Sequence, residues 1–425
     1  MRLVRIAFGV ALVAVVAAAL YMTVWQRKPR DAASAPVYSF AELTGSVFLP
    51  LPRNALGPPQ TRVLAVPPFD DSRAIWGATG RDFRGHIWIG VSAVSDGASA
   101  RLFEYVPDED VWRDRGEVLD KLKFAGLSKP GMGQIKIHSK IVPAGDGWLY
   151  FASTDEQGER SEPPVPPRWG GHLWRINPER GNWEHLLAVP EGLVAASGAG
   201  RYVYTLGYWG HVLYQFDTTA RAVARVAVGS VDGHVSRNFL ADVRGHAYVP
   251  RLSAQPGGVA VSLVEYDERL KELAATPLAH YLGKVSPGEN HGIIGLAYLP
   301  DGRMVFATHI GFLYLITPGE GPARVTELGW LHPQGENYTP ALFSFGGTEW
   351  LAGIAQLRSG AFEWIVYEMR TQLSRAFPLD TKGLKDVLLY GSITRDDAGR
   401  VYLGGWAADA NGSYRPLFLQ VDPGR

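Results

Sequence analysis

The sequence predicts an all-β fold, a seven-bladed β-propeller, with six or eight blades as the alternative counts. One observation is a returning unit of strand, tight turn and strand. Asp301-Gly302-Arg303 separates Leu296-Ala297-Tyr298 from Val305-Phe306-Ala307-Thr308, Ala398-Gly399-Arg400 separates Ser392-Ile393-Thr394 from Val401-Tyr402-Leu403-Gly404, and Asp146-Gly147 precedes Trp148-Leu149-Tyr150-Phe151. A second is the aromatic-rich strand that follows: His172-Leu173-Trp174-Arg175-Ile176, Val212-Leu213-Tyr214-Gln215-Phe216 and Phe312-Leu313-Tyr314-Leu315-Ile316. Strand hairpins that return at roughly 40–57-residue intervals are the signature of propeller blades. The third is composition, with 11% aromatics, 13 Trp and 49 Gly among 425 residues. Such a chain suits short strands packed on aromatic faces with frequent turns.

The N-terminus follows another rule. Ile6–Trp25 carries no charge, Arg2 and Arg5 precede it, and Arg27, Lys28 and Arg30 follow. A helix of about 20 apolar residues spans the ~30 Å hydrocarbon layer. Tyr21 and Trp25 suit an interfacial position. Residues 1–30 are therefore expected to be an uncleaved signal anchor, or transmembrane helix. It would hold the rest of the chain outside the cytoplasmic membrane, in the periplasm or the extracellular space. Residues 31–66, rich in Pro and Ala, are expected to be a linker with an edge strand that closes the last blade. Residues 67–425 are the propeller.

Seven units follow in order. The first holds Ala74–Gly80, Ile87–Ile89 and Leu102–Tyr105; the others start near Ile135, Leu193, Val235, Gly292, Thr339 and Leu389. The second carries a Pro-rich excursion, Asp155–Gly171, expected as a surface hairpin extension or a lid over the channel mouth. Residues 266–275 are expected to be a single turn or a hairpin tip.

Composition excludes some chemistry. Net charge is zero at pH 7, which gives no basic field for nucleic acid. There is no cysteine, so thiol nucleophiles, zinc–thiolate sites and covalent c-type haem are ruled out. No nucleotide cofactor is expected.

Aligned on their first strands, the units place reactive residues at one rim. Unit five starts Gly288-Glu289-Asn290-His291, unit six Gly335-Glu336-Asn337-Tyr338, unit four His234-Val235-Ser236-Arg237 and unit two Ile135-Lys136-Ile137-His138; unit seven offers Tyr390. Second strands end on His309, Tyr208 and Trp406. Start of strand one and end of strand two share one end of a blade, so these side chains should converge on the channel mouth. Imidazoles with a carboxylate suit a divalent cation (Mg, Mn or Ca) or acid–base work. The expected metal ligands are His234, Glu289, His291 and His309. The expected catalytic residues are His138, His291, Arg237, Tyr208 and Tyr338. Arg237 would clamp a carboxylate, and a His or Tyr would move the proton in a β-elimination. Each residue also has a plainer role, as a hydrogen-bonding group in a wet channel. Gly-Glu-Asn also suits an ordinary turn. His86 and His246 sit at hairpin turns and are expected to be structural.

Unit five, from Asn290-His291-Gly292-Ile293 through Pro300-Asp301-Gly302 to Val305-Phe306-Ala307-Thr308, resembles the repeat of streptogramin lyase and its relatives. The resemblance implies a seven-bladed propeller that opens a lactone by elimination, with Mg²⁺, a Glu-x-His pair and a second His from the preceding blade. Glu289-Asn290-His291 matches that pair; His234 stands one residue out of register. His138, Tyr208 and Arg237 are similar to the equipment of propeller polysaccharide lyases that act on uronic acids. Glu289, Asn290, Asn337 and Asn238 are similar to the mouth ligands of calcium lactonase propellers.

Two functions follow as expectations. One is a carbon–oxygen lyase on an acidic glycan or lactone-like small molecule. The other is a non-catalytic ligand- or protein-binding propeller scaffold.

Overall fold

The computed structural model describes residues 57–157, 166–283, 290–345 and 349–423. The expected N-terminal anchor and Glu289 lie outside the described residues. Among those described, no helix is long and apolar enough to cross a membrane.

Seven antiparallel sheets form seven blades, and in six of them the strands follow one another in sequence order from channel to rim. In blades one and two the first strand is split into two short pieces that pair with the same second strand, as Ser72–Ala74 and Thr79–Arg81 do with Ile87–Ala93. The last blade joins the two ends of the described chain. Its outer strand, Gln60–Leu64, pairs with the C-terminal strand Tyr414–Asp422, Gln60 facing Asp422 and Leu64 facing Phe418. This is the closing strand expected within residues 31–66.

Burial follows the order of strands. Ile87–Ala93, the second strand of blade one, is buried along its whole length, and so is the third strand Gly171–Ile176 of blade two. The fourth strand Ala222–Ala227 of blade three is largely exposed. Inner strands buried on both faces read as continuous apolar runs rather than alternation. Between blades the large rings interlock. Trp88 of blade one packs with Ile137, Phe151 and Trp174 of blade two in one apolar cluster. Truncating one such buried ring costs about 3–5 kcal/mol.

The turn between first and second strands carries a recurrent latch. Asp396 accepts from the backbone N–H groups of Ala398 and Arg400, from Arg400 Nε and from the Tyr402 hydroxyl at 2.7 Å. Asp242 does the same for Arg244, His246 and Tyr248, and Asp82 for Arg84, His86 and Trp88. The spacing is Asp, Gly three residues on, and Tyr or Trp six on. Gly85, Gly245 and Gly399 have φ near +85°, where a side chain is strained.

One feature was not foreseen in the sequence and another took one of its two expected forms. A short helix, Val118–Phe124, follows the fourth strand of blade one and buries Val118 and Leu122, spaced i, i+4, on one face. The expected tip at 266–275 is the turn Asp267–Lys271 between strands Gly258–Tyr266 and Glu272–Pro277, so the hairpin form holds.

Candidate functional site

Blade five shows how a mouth residue is held. The Asn290 side chain accepts from Gly292 N–H at 2.7 Å and donates to the Tyr281 carbonyl at 3.1 Å. Gly292 has φ +74°, and a Cβ there would lie 2.3 Å from the Tyr281 hydroxyl oxygen. Only glycine lets the chain turn so close. The turn delivers His291, whose carbonyl accepts from Arg237 N–H at 2.9 Å and whose N–H donates to His309 Nδ1 at 3.4 Å.

From there the rings run in series around the rim. His291 meets His309 edge to face at 5.2 Å and lies parallel to Tyr390 at 6.3 Å. His309 meets Tyr338 at 5.0 Å, and Tyr390 meets Trp76 at 4.8 Å. The Arg237 guanidinium lies 4.7 Å from the centre of the Tyr208 ring. Stacked guanidinium gains cation–π attraction while its N–H fork stays free for an anion. His138 Nδ1–H donates to the Val194 carbonyl at 2.8 Å, which leaves Nε2 as the acceptor.

The protonation states follow from burial and from Arg237. Burial, then Arg237 and Lys136, holds His138 well below the usual imidazole range, and the Val194 carbonyl opposes this. Burial, then Arg237, His309 and His234, takes His291 down to about 3. Burial takes His309 down to about 4, and Glu336 opposes it. The phenols go the other way. Burial pushes Tyr390 up to about 12 against the pull of Arg237, and burial with Tyr390 beside it holds Tyr338 well above the usual range. Near pH 7 His138, His291, His309, Tyr338 and Tyr390 are thus neutral, with the Arg237 guanidinium among them.

The structure brings together His138, Arg237, Tyr208, His291, His309, Tyr338 and Tyr390. His234 stands behind this wall, 3% exposed, with its Nε2 2.8 Å from the Tyr281 hydroxyl. Trp76 and Lys136 belong to the rim too. Trp76 touches both Tyr390 and Trp406, and the Lys136 ammonium lies 4.6 Å from its ring centre. Trp76 sits in the run Ala74–Gly80, already visible as strand; its pairing with Tyr390 across the last blade junction left no local mark.

A cation at the mouth would need converging ligands. Among the described residues one group of three brings its ligand atoms within 4.8 Å, and it is Asp82, His86 and Glu104, at the latch of blade one on the opposite face. That group already holds a cation of its own. Arg84 Nη2 lies 2.6 Å from Asp82 and 3.0 Å from Glu104, and Arg115 also binds Glu104. Blade four repeats the set as Asp242, Arg244, His246 and Glu265, as a structural latch would. The described mouth residues therefore do not fit a metal centre.

No family model matches the chain, and no curated protein does. Solved structures do. The β-propeller domain of Cps50 (Swd1) from Myceliophteria thermophila is 10% identical, with 86% of this chain and 100% of that one covered at a TM-score of 0.51. A protein of unknown function from Dyadobacter fermentans is 11% identical, covering 85% and 99% at 0.49. YCF48 bound to D1 peptide is 12% identical, covering 86% and 96% at 0.47. At 10% identity the likeness to the Cps50 (Swd1) domain shows the propeller fold alone.

Proposed function

We propose that this propeller is a binding module that takes a carboxylate group of its ligand at the channel mouth. The observation that carries this is Arg237. Its guanidinium rests on Tyr208, and no carboxylate of the described residues pairs with it. A permanently charged group in a partly buried site gains most from an incoming anion. Neutral His309, whose Nδ1 accepts from the His291 N–H and whose Nε2 therefore carries the proton, and the Tyr390 phenol offer N–H and O–H donors beside it, as binding sites use a few convergent polar groups.

Elimination would draw on the same residues but asks for a base that ionises near neutrality. Burial holds His138, His291 and His309 below the usual imidazole range and Tyr338 and Tyr390 above the usual phenol range, which favours binding over proton transfer at these five residues. The test is calorimetric titration of the full chain with small carboxylates, for wild type and Arg237→Gln. Binding that the substitution abolishes supports the module. Unsaturated product from a polyuronate, absorbing in the ultraviolet and lost in Arg237→Gln, would overturn it in favour of a lyase.

A further inference from the structure

Beside the mouth lies a second hole, about 300 Å³, walled by Arg73, Trp76, Lys136, Glu156 and Trp406. Trp76 is the shared wall, since it lines this cavity and packs against Tyr390 of the mouth. The cavity is at the small end of ligand sites, the size for a side chain rather than for a whole cofactor.

Its aromatic rings are already engaged. Trp406 stacks on Tyr414 at 4.8 Å, and the Arg73 guanidinium lies 5.3 Å and 5.2 Å from the two ring centres. Trp76 carries the Lys136 ammonium and meets Tyr390 and Trp406 edge to face. These contacts occupy ring surface that a sugar ring would otherwise stack on. What the rings do is fix cations in place. Lys136 is paired with Glu156, whereas Arg73 has no carboxylate partner among the described residues. Arg73 therefore gives the wall a spare positive charge.

We infer that this cavity is a second acidic subsite, and that the ligand is an acidic peptide segment lying across the rim. One carboxylate side chain pairs with Arg237 and another enters the hole to meet Arg73. This rests on the proposed mouth function and adds to it the partner's class. Two linked contacts bind far more tightly than either alone when the spacing allows both. Glycan recognition would use the aromatic faces that the chain has filled itself.

The experiment compares probes on the full chain: N-acetylglycine with one carboxylate, end-blocked hexaglutamate, end-blocked hexaglutamine and tetragalacturonate. Hexaglutamate should bind at least about 10-fold tighter than N-acetylglycine, and hexaglutamine should not bind. Arg73→Gln should remove most of that gain, while Arg269→Gln, an exposed charge elsewhere, should change neither hexaglutamate nor N-acetylglycine affinity. Hexaglutamate no tighter than the single acid, or a gain indifferent to Arg73, overturns the second subsite and leaves the mouth intact. Tetragalacturonate binding above hexaglutamate overturns the peptide. If N-acetylglycine affinity is absent and Arg237→Gln changes nothing, the mouth reading fails instead.

Discussion

The hydroxyl of Tyr402 donates to the carboxylate of Asp396 across 2.7 Å, and both residues are buried. The same link joins Tyr248 to Asp242 and, through an indole, Trp88 to Asp82. Tyr402→Phe should destabilise the fold by about 1–2 kcal/mol, since Asp396 loses one donor, Gln420 Nε2 loses the hydroxyl it donates to, and little shape changes. Asp396→Ala should cost more, about 3 kcal/mol or above, because it strands the turn N–H groups and Arg400 together. Urea midpoints at constant slope check the order; equal costs would mean that the latch is not a unit.

Inner strands touch without room for a side chain. A Cβ on Gly80 would lie 1.9 Å from the Ile141 carbonyl oxygen of the next blade. Gly80→Ala should therefore cost about 1–3 kcal/mol through a forced shift between blades one and two. Substitution at Gly97, which meets nothing within 4 Å but has φ +80°, tests strain without contact. A smaller loss at Gly80 than at Gly97 would contradict the packing account.

Acid should weaken the fold through His211. It is 3% exposed, neither ring nitrogen has a partner, and burial, with His234 and Arg251 adding to it, takes it down to about 3. The unfolded imidazole ionises near 6.5, so between about 6.5 and 3 the unfolded chain binds the extra proton. The stability His211 allows is complete above that window and is lost as pH falls through it. His211→Asn should flatten the decline in unfolding free energy from pH 7 to pH 5. Asn also tolerates the φ of +47° at this position. An unchanged slope would exclude His211 as a source.

Arg237 should be felt by its neighbours. It helps to lower both His138 and His291, so Arg237→Gln should raise both. Saturating carboxylate should move the wild-type imidazoles in the same direction by neutralising the guanidinium. Histidine ring-proton shifts followed against pH would register either change, and no movement would mean that Arg237 points away from the mouth.

The fold was legible because its strands are punctuated by chemistry that acts locally. Asp-Gly turns and aromatic third strands lie within a few residues of their partners. The latch spacing was equally present at Asp82, Asp242 and Asp396, and comparing these three turns would have found it. The mouth was half legible. First-strand starts and second-strand ends brought His138, Arg237, Tyr208, His291, His309, Tyr338 and Tyr390 to one rim. Alignment alone could not show that Tyr281 takes His234 Nε2 behind the wall, because that hydrogen bond depends on a side-chain direction. Nor could it show Trp76 against Tyr390, which meet only because the ring closes.

That closure also sets a timetable. Gln60–Leu64 has its partner in Tyr414–Asp422, which is synthesised after every other described strand. Until then the first strand waits with a bare edge and Leu64 without the Phe418 cluster it joins. The pairing has the greatest sequence separation in the molecule's described sheets, so it closes late and slowly. The interval before it, when an unpaired edge and an open blade are exposed together, is when this chain is most at risk of joining a neighbour rather than itself.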